Sequence, residues 1–176
     1  MQKSKKQNLF RLTATAVMVA MSVVLCRYLG FSPQDTPLRF EIGFYPIALV
    51  AYMFGPLYSA LGYALADIIG SLMSGYAPNV WITLCQALFG MTMGFFFYKK
   101  GFSLCRVTVC FTLIAAVIET LFKAPIFIFM YAYTPGFAFG SRALNALINL
   151  PIRIALTYFL GKAIESPLKK FTSRDL

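Results

Sequence analysis

The chain of 176 residues contains no histidine and only six acidic residues. Without histidine, a histidine-dependent catalytic triad and a histidine-bound metal are excluded. The four cysteines form no CxxC pair, so their spacing is not typical of a metal site either. The six acids are scattered, which argues against metal-assisted phosphotransfer. We therefore expect no metal ion, no cofactor and no enzymatic activity.

Charged residues of both signs are scarce, whereas apolar residues dominate. Hydrophobic residues make up 59% of the chain and charged residues 12%, about half the charged share of an average soluble domain. The formal net charge of +10 is compatible with a nucleic-acid ligand. We reject that partner, because basic residues that flank membrane spans explain the charge. The composition predicts an all-α integral membrane protein whose surrounding partner is the lipid bilayer.

Six apolar segments predict a single membrane domain, residues 1–176, with six spans. The first segment is long enough to cross a bilayer and lacks a small-residue cleavage site, so we interpret it as a retained helix rather than a signal peptide. Gly55 and Pro56 predict a sharp break between the second and third spans, and Pro125 interrupts the fifth. Residues 133–140 are predicted to form a loop. The predicted spans are approximately 9–29, 41–54, 57–74, 79–98, 104–131 and 141–164.

The distribution of lysine and arginine predicts the orientation. If both termini are cytoplasmic, eleven of the sixteen basic residues lie on the inner side, as the positive-inside rule requires. The protein is then expected in a bacterial cytoplasmic membrane. In this orientation several polar residues of different spans fall in the outer half of the bilayer. Ionisable residues within spans are costly and usually serve a function.

These polar residues are predicted to form one ligand pocket. The alternative is that each polar stripe only joins helices by hydrogen bonds. Arg153, at mid-depth or deeper, is the best candidate for that joining role, and Glu119 and Lys123 are spaced to pair as residues i and i+4. The predicted substrate-binding residues are Arg27, Arg39, Asp67, Tyr76, Trp81, Gln86, Lys123, Arg142 and Asn145.

The residue types in this set indicate the chemistry of the ligand. An excess of basic side chains suits carboxylates, for which arginine offers a two-pronged donor. Asp67, Gln86 and Asn145 suit the polar edge of a heterocycle. Aromatic residues such as Trp81 and Tyr76 could stack on a flat ring, or belong only to the aromatic belt of the membrane interface. A flat polar ring with an anionic tail fits the set, and a cationic ligand fits poorly.

The whole chain resembles the substrate-binding membrane subunits, called S components, of energy-coupling factor (ECF) vitamin transporters. The resemblance rests on the size, the six apolar segments and the Ala16-xxx-Ala20 motif. The run 39–47, followed by 54–56 and 62–67, resembles the folate-specific members. The resemblance implies capture of folate from outside, a membrane-embedded coupling subunit and two ATPase subunits. It also implies that Ala16 and Ala20 contact the coupling subunit and that Arg27 binds the glutamate tail of folate.

Other functions stay open at this point. The chain lacks the GxxxxGK[ST] loop, so ATP-driven uptake would need separate ATPases. The main alternative is an S component for another vitamin or heterocycle, such as riboflavin, thiamine or a queuosine precursor. An integral membrane enzyme is a more distant alternative. A pore or a purely structural subunit is a third, although the mostly apolar inner half argues against a polar channel.

Overall fold

The computed structural model of the chain describes residues 2–28, 30, 42–75 and 77–175. Arg39 and Tyr76, two of the predicted site residues, lie outside the described residues. The described part contains helices and no strands, as the composition predicts. The helices are α1 (Gln2–Tyr28), α2 (Phe44–Phe54), α3 (Pro56–Met73), α4 (Val80–Phe97), α5 (Leu104–Leu113), a π-helical segment (Ile114–Phe122), α6 (Lys123–Tyr131) and α7 (Pro135–Asp175).

Four stretches of helix in the described residues are long and apolar enough to cross a membrane. Their lengths of 18 to 31 residues bracket the roughly 20 residues that a bilayer core needs. α2 is apolar but has only 11 residues. The four stretches are Lys5–Tyr28, Val80–Phe97, Leu104–Met130 and Pro135–Glu165.

The predicted break between α2 and α3 is present. Gly55 separates the two helices with a φ of 90°, a backbone conformation that glycine adopts without a steric penalty. Pro56 then begins α3, a position that suits proline because the first residue of a helix needs no amide donor. The two helices therefore meet at a sharp turn.

The fifth predicted span is continuous but changes its winding before Pro125. Residues 114–122 form a π-helix, in which Thr120 Oγ1 donates to the carbonyl of Ala115, five residues earlier, at 2.9 Å. A proline inside a helix clashes with the carbonyl four residues before it and cannot donate to it. We attribute the wider turn to this clash, since a π-turn releases that carbonyl without ending the helix.

α7 is longer than the sixth predicted span, and it shows that part of one sequence prediction is wrong. Residues 135–140, predicted as loop, form its first turns, because Pro135 is well suited to begin a helix. Gly136 and Gly140 suggested a loop, yet a helix tolerates them at modest cost. At 41 residues α7 measures about 60 Å, twice the ~30 Å hydrocarbon core. Hydrophobicity marks the part of a helix that suits the bilayer rather than the ends of the helix.

The core is built around α2, every residue of which is buried. Phe111 of α5 lies at its centre, with ring centroids 5.5 Å from Phe44, 6.4 Å from Phe89 and 6.2 Å from Phe97. α3 and α4 approach closely, since Ser59 Oγ donates to the carbonyl of Gly90 at 2.8 Å. Many exposed side chains of the described residues are large and apolar. This arrangement holds the ends of α1, α3, α4 and α7 in fixed positions around a cavity.

Candidate functional site

A cavity of about 290 Å³ lies at the end of the bundle where α1 and α3 finish and α4 and α7 begin. Its volume is near the lower end of the ~300–1,000 Å³ range of small-molecule sites. Residues of α1, α3, α4, the π-helical segment, α6 and α7 form its wall. Six of the nine predicted substrate-binding residues line it: Arg27, Asp67, Gln86, Lys123, Arg142 and Asn145.

Trp81 belongs to the residues that the structure describes, but it does not line the cavity. It lies in the first turn of α4, 60% of its surface is exposed, and its backbone amide donates to the side chain of Asn79 at 3.0 Å. Asn79 thereby caps the helix. The position of Trp81 fits the interfacial aromatic alternative better than ring stacking.

The wall formed by α3 and α4 presents hydrogen-bonding groups. Thr83 Oγ1 donates to the carboxylate of Asp67 at 2.7 Å, which fixes the orientation of that carboxylate. Gln86 is only 7% exposed, and its Oε1 atom accepts no hydrogen bond from the described residues. An unsatisfied buried acceptor costs free energy. Gln86 is therefore suited to accept a hydrogen bond from a ligand that enters the cavity.

An ion-pair cluster forms the part of the cavity between the π-helical segment and α7. Both carboxylate oxygens of Glu119 accept hydrogen bonds from the guanidinium of Arg153, at 2.8 and 3.0 Å. The ammonium of Lys123 lies 3.9 Å from the same carboxylate. The pairing of Glu119 with Lys123 that the i, i+4 spacing allows is therefore the longer of the two contacts.

Two arginines complete the basic lining. The guanidinium of Arg142 lies 3.9 Å from the centre of the Phe127 ring, close enough for a cation–π interaction. Arg27, in the last turn of α1, lies over Gly70 of α3, where a methyl group would come within 4.0 Å of its Nη2 atom. Among the described lining residues, four are basic and two are acidic, so the cavity has a surplus of two positive charges.

The structure adds Glu119 and Arg153 to the lining, beyond the predicted set. Both lie in apolar runs, and this marked them in the sequence as costly residues. Their pairing was missed because 34 residues separate them and no periodicity connects them. The joining role predicted for Arg153 agrees with its bond to Glu119, but Arg153 joins helices at the cavity wall itself.

A second, apolar groove of about 400 Å³ runs between α1 and α3. Ala16 and Ala20 line it, together with residues such as Leu65 and Ile69 of α3. Small side chains on α1 leave space there for another helix to approach. The two alanines predicted to contact a partner therefore lie at a recess on the outside of the bundle.

Comparison with known proteins identifies the family. Residues 6–166 match the family model of the ECF-type riboflavin transporter, S component. The chain belongs to this family. As an S component it is a transporter subunit and not an enzyme, as its residues predict. The family and the four apolar stretches together make it a multi-pass membrane protein.

Curated relatives of this S component include two proteins named folate transporter FolT. The FolT of Clostridium novyi is 26% identical over 153 residues, which cover 85% of this chain and 87% of that protein. The FolT of Streptococcus mutans is 29% identical over 167 residues, which cover 89% and 88%.

A crystal structure of FolT bound with folic acid has a similar fold. The TM-score is 0.75 at 29% sequence identity, and the match covers 86% of this chain and 92% of the other. The resemblance to the S components is thus confirmed by family, relatives and fold.

Proposed function

We propose that this S component binds folate in its polar cavity and presents it for ATP-dependent uptake. The observation that carries the proposal is the shared fold with a FolT that holds folic acid, combined with a basic surplus in the cavity. Folate is a flat pterin joined through a benzoyl group to a glutamate with two carboxylates. Such a dianion complements two surplus positive charges.

The distribution of groups in the cavity suggests how folate lies in it. Arg27, Lys123 and Arg142 supply the cations for the glutamate carboxylates, and the fork of an arginine can hold a carboxylate with two parallel bonds. The acceptors of Gln86 and Asp67 suit the N–H groups of the pterin. The side-chain amide of Asn145 can either donate or accept a hydrogen bond.

Riboflavin is the second candidate, because the matching family model carries its name. Riboflavin also has a flat heterocycle, but it is neutral and has no carboxylate. Around such a ligand, the two surplus positive charges of the cavity would stay uncompensated. Thiamine is a cation and would be repelled by the same surplus.

A binding competition distinguishes these ligands. The purified subunit in detergent should bind folate in isothermal titration calorimetry, and riboflavin and thiamine should not displace it at a hundredfold excess. A small molecule that copurifies with the subunit should have the absorption spectrum of a folate. If riboflavin binds more tightly than folate, the assignment of the ligand is wrong, although the family is unchanged.

We further propose that the chain crosses the cell membrane six times, with both termini in the cytoplasm. The helices α2 and α3 would supply the two spans beyond the four long apolar stretches. α2 measures only about 16 Å, roughly half the bilayer core, but it is surrounded by protein and needs no lipid-facing length. The excess of basic residues on the inner side supports this orientation.

The groove at Ala16 and Ala20 is our candidate for the docking site of the coupling subunit, which would work with two ATPase subunits. Replacement of both alanines by tryptophan would fill the groove. The double variant should bind folate normally as an isolated subunit but fail to assemble and to transport. Val17→Trp is the matched control, because Val17 is 55% exposed and does not line the groove. Normal transport by the double variant would place the docking site elsewhere.

A further inference from the structure

One acidic residue, Glu119, lies among three basic side chains of the cavity. Arg153 binds it through two hydrogen bonds, Lys123 approaches to 3.9 Å, and Arg142 lines the same cavity. Glu119 belongs to the π-helical segment, whose wider turns alter the direction of its side chains relative to an α-helix. Nine-residue π-helices are unusual, and short π-segments occur frequently at functional sites.

The two hydrogen bonds that Arg153 donates to Glu119 hold its guanidinium in place, and the carboxylate compensates its charge. Arg153 is 2% exposed, and its guanidinium also lies 5.2 Å from the ring centre of Phe89 and 5.8 Å from that of Phe44. The two rings and the carboxylate therefore fix its head group at the cavity wall. Both oxygens of Glu119 are used by this bond, and the 3.9 Å contact to Lys123 is longer than a hydrogen bond.

The charged residues of the cavity lining can be counted. Arg153 is hydrogen-bonded to Glu119, the other basic residues of the lining are Arg27, Lys123 and Arg142, and the second acid is Asp67. The resulting surplus of two positive charges matches in magnitude the two negative charges of a dicarboxylate. Removal of Glu119 alone would raise the surplus to three, and removal of Arg153 alone would lower it to one.

We propose that Glu119 is a positioning residue that fixes Arg153 at the cavity wall, compensates its charge and thereby sets the number of ligand carboxylates that the cavity prefers. The inference rests on the proposed binding of folate and adds to it a determinant of selectivity. A buried pair that only joined two helices would support all ligands equally. A pair that sets the charge of the cavity changes the relative affinity of ligands that differ in charge.

The test compares folate with pteroate, which lacks the glutamate and has one carboxylate instead of two. Dissociation constants for both ligands are measured on wild type, Glu119→Gln, Arg153→Gln and the double variant, and the pteroate-to-folate ratio is calculated for each. A change of one unit of cavity charge at about 10 Å from a ligand carboxylate, with an effective dielectric constant of ~20, changes this ratio on the order of tenfold. The ratio should rise in Glu119→Gln, fall in Arg153→Gln and return to within about threefold of wild type in the double variant.

The controls separate an effect of charge on ligand affinity from a loss of folding. Glu119→Asp keeps the charge and should keep the wild-type ratio. Thr120→Val alters the same π-helical segment outside the cavity lining and should change neither affinity. If Glu119→Gln does not fold, the comparison of Arg153→Gln with the double variant tests the same step, because these two proteins differ only in the charge at position 119, and the ratio should be higher in the double variant.

Two negative results have different meanings. Equal losses of both ligands in the single variants, with an unchanged ratio, would show that the pair is purely structural and would overturn this inference. Failure of the wild-type protein to bind folate would instead overturn the proposed function.

Discussion

The most direct test of the site is the removal of Arg27, the basic side chain that ends α1 at the cavity. Truncation of one side of a desolvated charge pair costs about 2–5 kcal/mol. Arg27 is only partly buried, so we expect the lower end of this range, about 2 kcal/mol. Because each ~1.4 kcal/mol is tenfold in affinity, Arg27→Ala should weaken folate binding about thirtyfold.

The assay is calorimetric titration of the solubilised subunit with three variants of this helix end. Arg27→Lys should recover only part of the loss, because a lysine ammonium cannot form the two parallel bonds of a guanidinium. Tyr28→Ala is the matched control, since the neighbouring Tyr28 is 82% exposed and lies outside the cavity lining. It should bind folate like wild type.

A truncated ligand decides whether the arginine acts on the tail of folate. A neutral pterin without the benzoylglutamate part should bind wild type and Arg27→Ala about equally. An equal loss for this ligand would mean that Arg27 supports the ring site or the fold. Unchanged folate affinity in Arg27→Ala would remove this residue from the site and refute the charge argument at this end of the cavity.

Three further predictions concern orientation, packing and the cavity boundary. In a background without the four native cysteines, a cysteine at Phe137 should react with an impermeant reagent from outside and a cysteine at Lys100 should not; the reverse labelling would invert the topology. Gly90→Ala should lower the free energy of unfolding by about 1–3 kcal/mol or more, because the added methyl would clash with the backbone carbonyl oxygen of Ser59 in α3. Gly136→Ala, with no atom within 4 Å of the new methyl, should show no such loss in the same thermal unfolding assay. Trp81→Ala should change folate affinity by less than about threefold, since each tenfold needs ~1.4 kcal/mol and this side chain does not line the cavity; a larger loss would place it in the ligand site.

Much of this protein could be predicted from the sequence because the bilayer makes strong, local demands on a chain. A segment inside the bilayer must satisfy its backbone hydrogen bonds without water, and a long, continuous apolar run does so as a helix, so the apolar runs indicate an all-helical membrane protein. The break at Gly55 and Pro56 was equally predictable, since these residues have narrow conformational preferences. Charged residues in apolar segments are costly, so the positions of Arg27 and Asp67 within such segments predict a functional role.

The sequence by itself therefore determined the class of the molecule, its helical character and six of the eight charged or amide side chains around the cavity. Only the tertiary structure decided which of those residues face each other. It paired Glu119 with Arg153 rather than mainly with Lys123, and it left Trp81 outside the cavity lining. These outcomes depend on how helices distant in sequence rotate and pack, and on a local change of winding near Pro125. Helical periodicity describes one helix at a time, whereas a binding site is a property of several helices together.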